Sequence, residues 1–366
     1  MKAVALGGGH GLYATLSALR LLTDELTAVV TVADDGGSSG RLRGELGVLP
    51  PGDLRMALTA LAGSGPVAAL WREVFQHRFG GTGALAGHAV GNLLLAGLIE
   101  VLGDPVAALD EACTLLGVRG RVLPMSTDPL VIEAEVTGLD DRRGRPQEAA
   151  RIRGQVAVAS TPGRVRRVWL RPERPRACSA AVRAVLDADV VVIGPGSWFT
   201  SVLPHLLVPE LRRALVETAA RRVVVLNLAP QPGETAGFSP EQHLAVLSQH
   251  APELRVHAVL ADGRAVPVPG RLFEAAAELG ARAVLAPIGE VDGTPRHDPA
   301  ALARALRVVL EEVGDTAHPG DTPYVVPDDT PDDTRTQHSR NHDGRADDRG
   351  TDTRTRDGGR EENTWR

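Results

Sequence analysis

The sequence predicts an α/β protein: a doubly wound, mainly parallel sheet carrying a small β-rich insertion and followed by a disordered C-terminal tail. Short apolar runs such as Ala28-Val29-Val30-Thr31-Val32 and Val190-Val191-Val192-Ile193 read as strands buried on both faces. They alternate with longer segments of helical character, the pattern of successive βαβ units. Several strand ends open directly into glycine-rich polar loops, as expected at the ligand-binding edge of an open sheet.

The elements follow in order. Ala3 to Leu6 reads as a strand, Leu12 to Leu22 as a helix and Ala28 to Ala33 as a second strand. Asp53 is suited to cap a helix running to about Leu61. Leu85 to Leu102 reads as a longer apolar helix, and Asp104-Pro105 has the cap-then-proline chemistry that opens the next one. Between about residues 121 and 171 the pattern turns to short β segments at Leu130 to Thr137, Gln155 to Ala159 and Arg166 to Leu170, which defines the insertion. Strands resume at Val190 to Ile193, Val223 to Leu228, Arg255 to Leu260 and Ala283 to Ala286, and a helix from Pro299 to Val313 closes a domain placed at residues 1–315. From about Pro319 the chain is rich in Asp, Arg, Thr, Gly and His and nearly lacks Leu, Ile and Phe. Such a tail, taken as residues 316–366, buries too little apolar area to offset its ordering entropy.

Composition narrows the chemistry. Aromatic residues make up only 3% of the 366 residues, so the core must be built from Leu, Val and Ala. Lys2 is the sole lysine, which excludes a Walker-type phosphate lysine and a Schiff base. A net charge of −6 argues against general nucleic-acid binding. Cys113 and Cys178 lie far apart with no metal-ligand spacing and read as buried thiols of a reducing compartment. Glycines at 7, 8, 9 and 11 interrupt the first apolar segment too early for a signal peptide, and no run of about eighteen apolar residues suits a membrane span. The expected location is the cytoplasm.

Four loops carry the candidate chemistry. Gly8, Gly9, His10 and Gly11 follow the first strand and open the first helix, where backbone amides form an anion site. Gly9, Gly11 and Ala14 also fit the spacing of Rossmann-like dinucleotide folds, with Asp34 placed as the ribose acid. The second loop packs Asp34, Asp35, Gly36, Gly37, Ser38, Ser39, Gly40 and Arg41 into one βα connection, far more than a turn requires. Glycines admit close backbone approach, hydroxyls and amides suit phosphate oxygens, and Arg41 neutralises them. Gly194, Gly196 and Ser197 repeat the strand-to-glycine-loop logic, with Trp198 and Phe199 read either as base-stacking or as core residues. The fourth loop offers Asn227, Gln231, Gly233, Glu234 and Thr235 at the same edge. Two helical segments add Asp53 with Arg55, whose cation opposes the helix dipole and so calls for a ligand or carboxylate partner, and His88 with Asn92 four residues on. The His88–Asn92 pair suits a ligand contact or a satisfied buried hydrogen bond equally. No third ligand accompanies them, and no metal ligand set or catalytic residue is assigned.

In order, the segments GGGHGL at 7–12, TVADDGGSSGRLR at 31–43, PPGDLR at 50–55, GHAVGNLL at 87–94, RVLPMSTD at 121–128, GPGSWFTSVLP at 194–204 and QPGETAGFS at 231–239 resemble the CofD-like superfamily, specifically its YvcK-type gluconeogenesis factors. The resemblance implies a cytosolic protein that binds a UDP-sugar such as UDP-N-acetylglucosamine. It also implies a need for the protein in cell shape and peptidoglycan synthesis on gluconeogenic carbon sources. Binding roles for Gly9, Asp34, Asp35, Ser38, Arg41, Asn227 and Gln231 are carried over from the matching motifs. A homodimer is implied as well, with the downstream protein partner unassigned. The superfamily's enzymatic branch transfers a phospholactyl group from a nucleoside diphosphate donor with magnesium. That leaves a transferase with Mg2+ at Asp34 or Asp35 as the alternative, and a nicotinamide oxidoreductase as a third reading. His10, Met56 and Ala229-Pro230 depart from the residues usual in the family, and Met56 in particular removes a polar group from the rim.

Overall fold

The computed structural model describes residues 1–139, 149–312 and 324–325. Its strands are β1 (Ala3–Gly7), β2 (Leu26–Val30), β3 (Arg121–Pro124), β4 (Val131–Thr137), β5 (Ala150–Arg153), β6 (Arg164–Arg171), β7 (Val190–Ile193), β8 (Arg221–Val225), β9 (Ala258–Ala261), β10 (Arg282–Leu285) and β11 (Tyr324–Val325). Eight of them form one sheet in the order β11-β10-β9-β8-β7-β1-β2-β3, and every neighbouring pair is parallel. The central strands are buried along their whole length, as runs of Val, Ala and Leu covered on both faces must be. Ala5 lies opposite Ala28 on one side and Val192 on the other. The chain therefore builds outward from β1 in one direction, then returns to β7 and builds in the other. This reversal is the doubly wound arrangement expected from the sequence, and it opens a crevice beyond the carboxyl ends of β1 and β7.

The helices are α1 (Gly9–Leu19), α2 (Gly37–Leu46), α3 (Pro51–Leu61), α4 (Pro66–Gln76), α5 (Val90–Leu102), α6 (Pro105–Leu115), α7 (Gln155–Ala159), α8 (Ser179–Leu186), α9 (Pro209–Glu217), α10 (Pro240–His250), α11 (Pro269–Glu278) and α12 (Pro299–Glu312). Asp104 caps α6 by accepting from the Val106 amide at 2.9 Å, as the sequence indicates. Trp198 and Phe199 are fully buried and belong to the core, which excludes the base-stacking option for them. Cys113 and Cys178 are buried free thiols.

The insertion is a three-stranded antiparallel sheet in the order β5-β4-β6. Three local expectations change. Residues 121–124 form the edge strand of the main sheet rather than part of the insertion. Gln155 to Ala159 is helical rather than extended. Gly154, at φ +101°, turns the chain, and the Asp35 carboxylate then gathers the Gln155 and Val156 amides that begin α7. A five-residue apolar run has no periodicity of its own to decide this. Lastly, α5 starts at Val90, so His88 lies in the preceding loop. There Gly87, at φ +76°, leaves the helical region and its amide bonds to the Phe79 carbonyl. The tail expectation falls outside the described residues except at β11, which extends the sheet by pairing with β10. No helix among the described residues is long and apolar enough to cross a membrane.

Candidate functional site

The loops after β1 and β7 meet face to face at the switch point. A Cβ on Gly11 would lie 2.2 Å from the Pro195 carbonyl oxygen and 2.8 Å from the Gly196 Cα, so only glycine permits this approach. The Thr15 hydroxyl, one turn along α1, donates to the Gly194 carbonyl at 2.9 Å and fixes the pair. Asn227, just beyond β8, holds the second loop from the other side. Its Oδ1 accepts from the Gly196 amide and its Nδ2 donates to the Gly196 carbonyl, both at 2.8 Å. The Gly196 amide is thus committed to Asn227, and Gln231 Nε2 donates to the Ser197 hydroxyl at 3.3 Å.

Glu234 and Thr235 serve the same scaffold. Glu234 is 3% exposed, and its carboxylate accepts from the Phe199 amide at 2.9 Å and from the Thr200 hydroxyl. The start of the turn at 198–202 is therefore occupied by the protein's own acid, whose pKa burial raises against these hydrogen bonds. Thr235 is buried and its hydroxyl accepts from the Gln231 amide.

The start of α1 is different. Gly9, at φ +57°, opens the helix, and His10 beside it is exposed. Asp53 occupies the first turn of α3 rather than its cap position, which Pro50 takes. From there it reaches across to α1: it accepts from the Gly9 amide, and a Cβ on Gly8 would fall 2.4 Å from its Oδ2. Asp34 approaches from β2. Its Oδ1 accepts from the Gly36 amide at 2.9 Å, and its Oδ2 would lie 3.2 Å from a Cβ on Gly52 in α3. The amino ends of α1, α2 and α3 thus converge on two carboxyl groups. Burial, reinforced by the Asp34 charge, pushes the Asp53 carboxyl up to about 7 against the Gly9 amide and the Arg55 cation.

Behind this floor runs a buried polar chain. Arg55 Nε donates to Asn92 Oδ1 at 2.9 Å, Asn92 Nδ2 donates to the Ser38 hydroxyl at 3.0 Å, and that hydroxyl lies 3.0 Å from His88 Nδ1. Each of these residues is buried. The partner of Arg55 is therefore an amide, and the His88–Asn92 pair resolves into a satisfied network linked through Ser38. Burial, helped by the Arg78 charge, lowers the Arg55 guanidinium to about 10 while Asp53 opposes. Burial, then the Arg41 charge, lowers the His88 imidazole, so it is neutral near pH 7. The Ser38 hydroxyl thus joins the Asn92 amide to the His88 ring.

The remaining predicted residues lie on the rim. Arg41 is exposed and donates to the carbonyls of Ala86 at 2.7 Å and Ala84 at 3.4 Å, pinning the loop that carries His88. Asp35 turns its carboxylate onto α7, accepting from Gln155 at 3.1 Å and Val156 at 2.9 Å. A Cβ on Gly233 would fall 2.0 Å from the Ala159 carbonyl, so the 231–235 loop rests on the other end of the same helix. The insertion is therefore clasped by two loops of the crevice. Gly37, at φ +49°, and the buried Ser39 begin α2, where Ser39 Oγ would lie 2.4 Å from a Cβ on Gly52.

Two cavities, of about 730 and 710 Å3, lie at the opposite edge of the sheet. One is lined by Lys2, Thr27 and Arg183 and the other by Leu21, Ala188 and Arg307. None of the predicted residues lines either cavity, and the convergence of four loops marks the carboxyl edge as the site. Residues missed from the sequence include Thr15 and the α7 amides, whose roles depend on distant partners. Arg43 lay within the conspicuous run and was legible as chemistry, though not as a position.

A switch-point crevice floored by glycine loops, helix amino ends and paired carboxyls defines an open, doubly wound α/β protein whose polar loops gather at the carboxyl edge of its sheet. The family model for 2-phospho-L-lactate transferase CofD matches residues 3–292, and the chain belongs to that family. It is 59% identical over 320 residues to the "Putative gluconeogenesis factor" of Mycobacterium tuberculosis H37Rv, covering 86% of this chain and 92% of that one. It is 39% identical over 249 residues to the gluconeogenesis factor of Bacillus subtilis 168, covering 68% and 74%. A crystal structure of a UPF0052 family member from Bacillus halodurans is similar at a TM-score of 0.75 and 34% identity, covering 84% of this chain and 98% of that one.

Proposed function

We propose that the crevice binds a nucleotide sugar of the UDP class and that the protein is a cytosolic regulator of the gluconeogenesis-factor type, holding its ligand without turnover. One observation carries this reading: the loops after β1 and β7 meet at the switch point over backbone that only glycine allows to come so close, and the amino ends of α1, α2 and α3 converge on Asp34 and Asp53. The diphosphate lies over these helix starts. Asp34 accepts from ribose or sugar hydroxyls, because an ionised carboxylate beside a bare diphosphate repels it. The names of the relatives support a role in gluconeogenesis; the motif resemblance, rather than those names, suggests peptidoglycan synthesis as the consumer of the sugar nucleotide.

A transferase is the second reading, favoured by the electrostatic coupling of Asp34 and Asp53. Two carboxylates fit Mg2+ when a ligand's phosphate oxygens complete the shell. Such an ion would polarise the diphosphate, while Asp34 and Asp53 hold it and His88, through Ser38, fixes the start of α2. Among the described residues, no cluster of three or more His, Cys, Asp or Glu could hold a metal by itself.

Calorimetric titration with UDP-N-acetylglucosamine, a nucleoside diphosphate lactate donor and NAD separates the readings. Binding of the UDP-sugar without Mg2+, and its recovery intact after incubation, is the expected outcome. Steady release of nucleoside monophosphate in the presence of an acceptor establishes the transferase, and binding of NAD alone overturns both.

A further inference from the structure

We infer that Arg43, rather than Arg41, is the cation that grips the ligand's diphosphate. The inference rests on the nucleotide reading above and adds the residue that recognises the charge. Both arginines belong to α2, but residues two apart do not share a helix face. Arg41 points outward, and its guanidinium is spent on the carbonyls of Ala84 and Ala86. Arg43 stands one turn beyond Ser39, on the row that meets Gly52 and the Asp34 carboxylate. Helical side chains lean toward the amino end of the helix, which here is the crevice. Burial lowers the Arg43 guanidinium below its ordinary value, against the Asp35 and Asp34 charges and with that of Arg153 of the insertion, which sets it among these groups.

Its bonding is the decisive observation. Arg43 Nη1 is shut off from water and has no hydrogen-bond partner among the described residues. Buried donors are rarely left in that condition. The two acids whose charges act on it do not supply the acceptor: Asp34 Oδ1 accepts from the Gly36 amide and both Asp35 oxygens from α7, and neither carboxylate bonds Arg43 Nη1. Arg55, buried where Arg43 as a whole is half-buried, is satisfied by Asn92. An acceptor brought in by a ligand completes Arg43, and Arg153 offsets part of the Asp34 and Asp35 charge, so that an anion's oxygen is the acceptor a guanidinium favours. A planar guanidinium suits two phosphate oxygens at once.

The test uses the full chain, titrated calorimetrically with UDP and, by displacement, with uridine. In the native protein UDP is expected to bind at least tenfold more tightly than uridine. In Arg43→Gln the advantage of UDP should collapse to within about threefold while uridine affinity holds, and Arg41→Gln should keep it. Arg43→Lys, which retains the charge without the fork, should recover part of the discrimination, and this variant decides the matter if Arg43→Gln is unfolded in urea titration. Native-like preference for UDP in Arg43→Gln overturns the inference while leaving the nucleotide reading intact. Equal loss of UDP and uridine overturns it as well, by showing a purely structural role. Failure of the native protein to bind either compound overturns the nucleotide reading itself, and this inference with it.

Discussion

Asp53 gives the most quantitative test of the site. Its carboxyl is raised from an ordinary 3.8 to about 7, chiefly by burial and then by the Asp34 charge. At about 1.4 kcal/mol for each pH unit, this is roughly 4 kcal/mol against ionisation in the folded state. Part of the side chain still reaches water, so about 2–4 kcal/mol is the range to expect. The sign follows from proton linkage. An acid whose folded pKa lies above its unfolded value holds its proton more tightly in the fold, so the contribution is full below about pH 4. It is lost as pH rises toward 7. Asp53→Asn cannot ionise yet keeps an oxygen to accept from the Gly9 amide. It should therefore match the native protein near pH 4 and exceed it by about 2–4 kcal/mol at pH 8.5, with the difference growing between those limits. Urea unfolding of the ligand-free protein at several pH values measures this directly, since titration of other groups cancels in the comparison. Asp34→Asn should move the native pH dependence toward lower pH by removing the neighbouring charge. A stability difference between Asp53→Asn and the native protein that does not change with pH would refute the assignment of this buried, coupled carboxyl.

Three further outcomes test the scaffold. Gly11→Ala places a methyl 2.2 Å from the Pro195 carbonyl, so the two switch-point loops must part. A loss of about 1–3 kcal/mol in urea unfolding is expected, and a native-like midpoint counts against the described approach. Asn227→Ala leaves the Gly196 peptide without either partner, at about 1–2 kcal/mol, and should weaken UDP-sugar binding by loosening that loop. Unchanged stability together with unchanged affinity contradicts it. Asp35→Ala removes the carboxylate that gathers the first amides of α7, worth about 0.5–2 kcal/mol for a cap. Hydrogen exchange at Gln155 and Val156 should quicken while the β1 amides keep their protection, and unaltered exchange at both sites disproves the contact.

The strands of the main sheet and the edge where they open into glycine-rich polar loops were determined by the sequence alone. The apolar runs of β1 and β7, each ending in a glycine loop, read as strands covered on both faces, and the glycines after them mark where backbone comes close to backbone. Local chemistry likewise fixed the Asp104 cap and the parallel alternation. What the sequence left open were choices between local states of similar energy. Gln155 to Ala159 became a helix because a carboxylate 120 residues earlier in the chain accepts from its first amide. His88 left the helix because a left-handed glycine and the Phe79 backbone offered an alternative pairing.

The division of labour among polar residues was settled only by tertiary structure. Composition placed two arginines and two aspartates in one run, with nothing to rank them. In the fold, Arg41 and Asp35 are consumed by neighbouring backbone, Asp34 meets Asp53 across the crevice, and the buried Arg43 nitrogen is left facing no acceptor. Sequence fixes which groups are present and the period on which they recur. Which of them stay available for a ligand depends on partners brought from far along the chain, and long-range packing alone selects those.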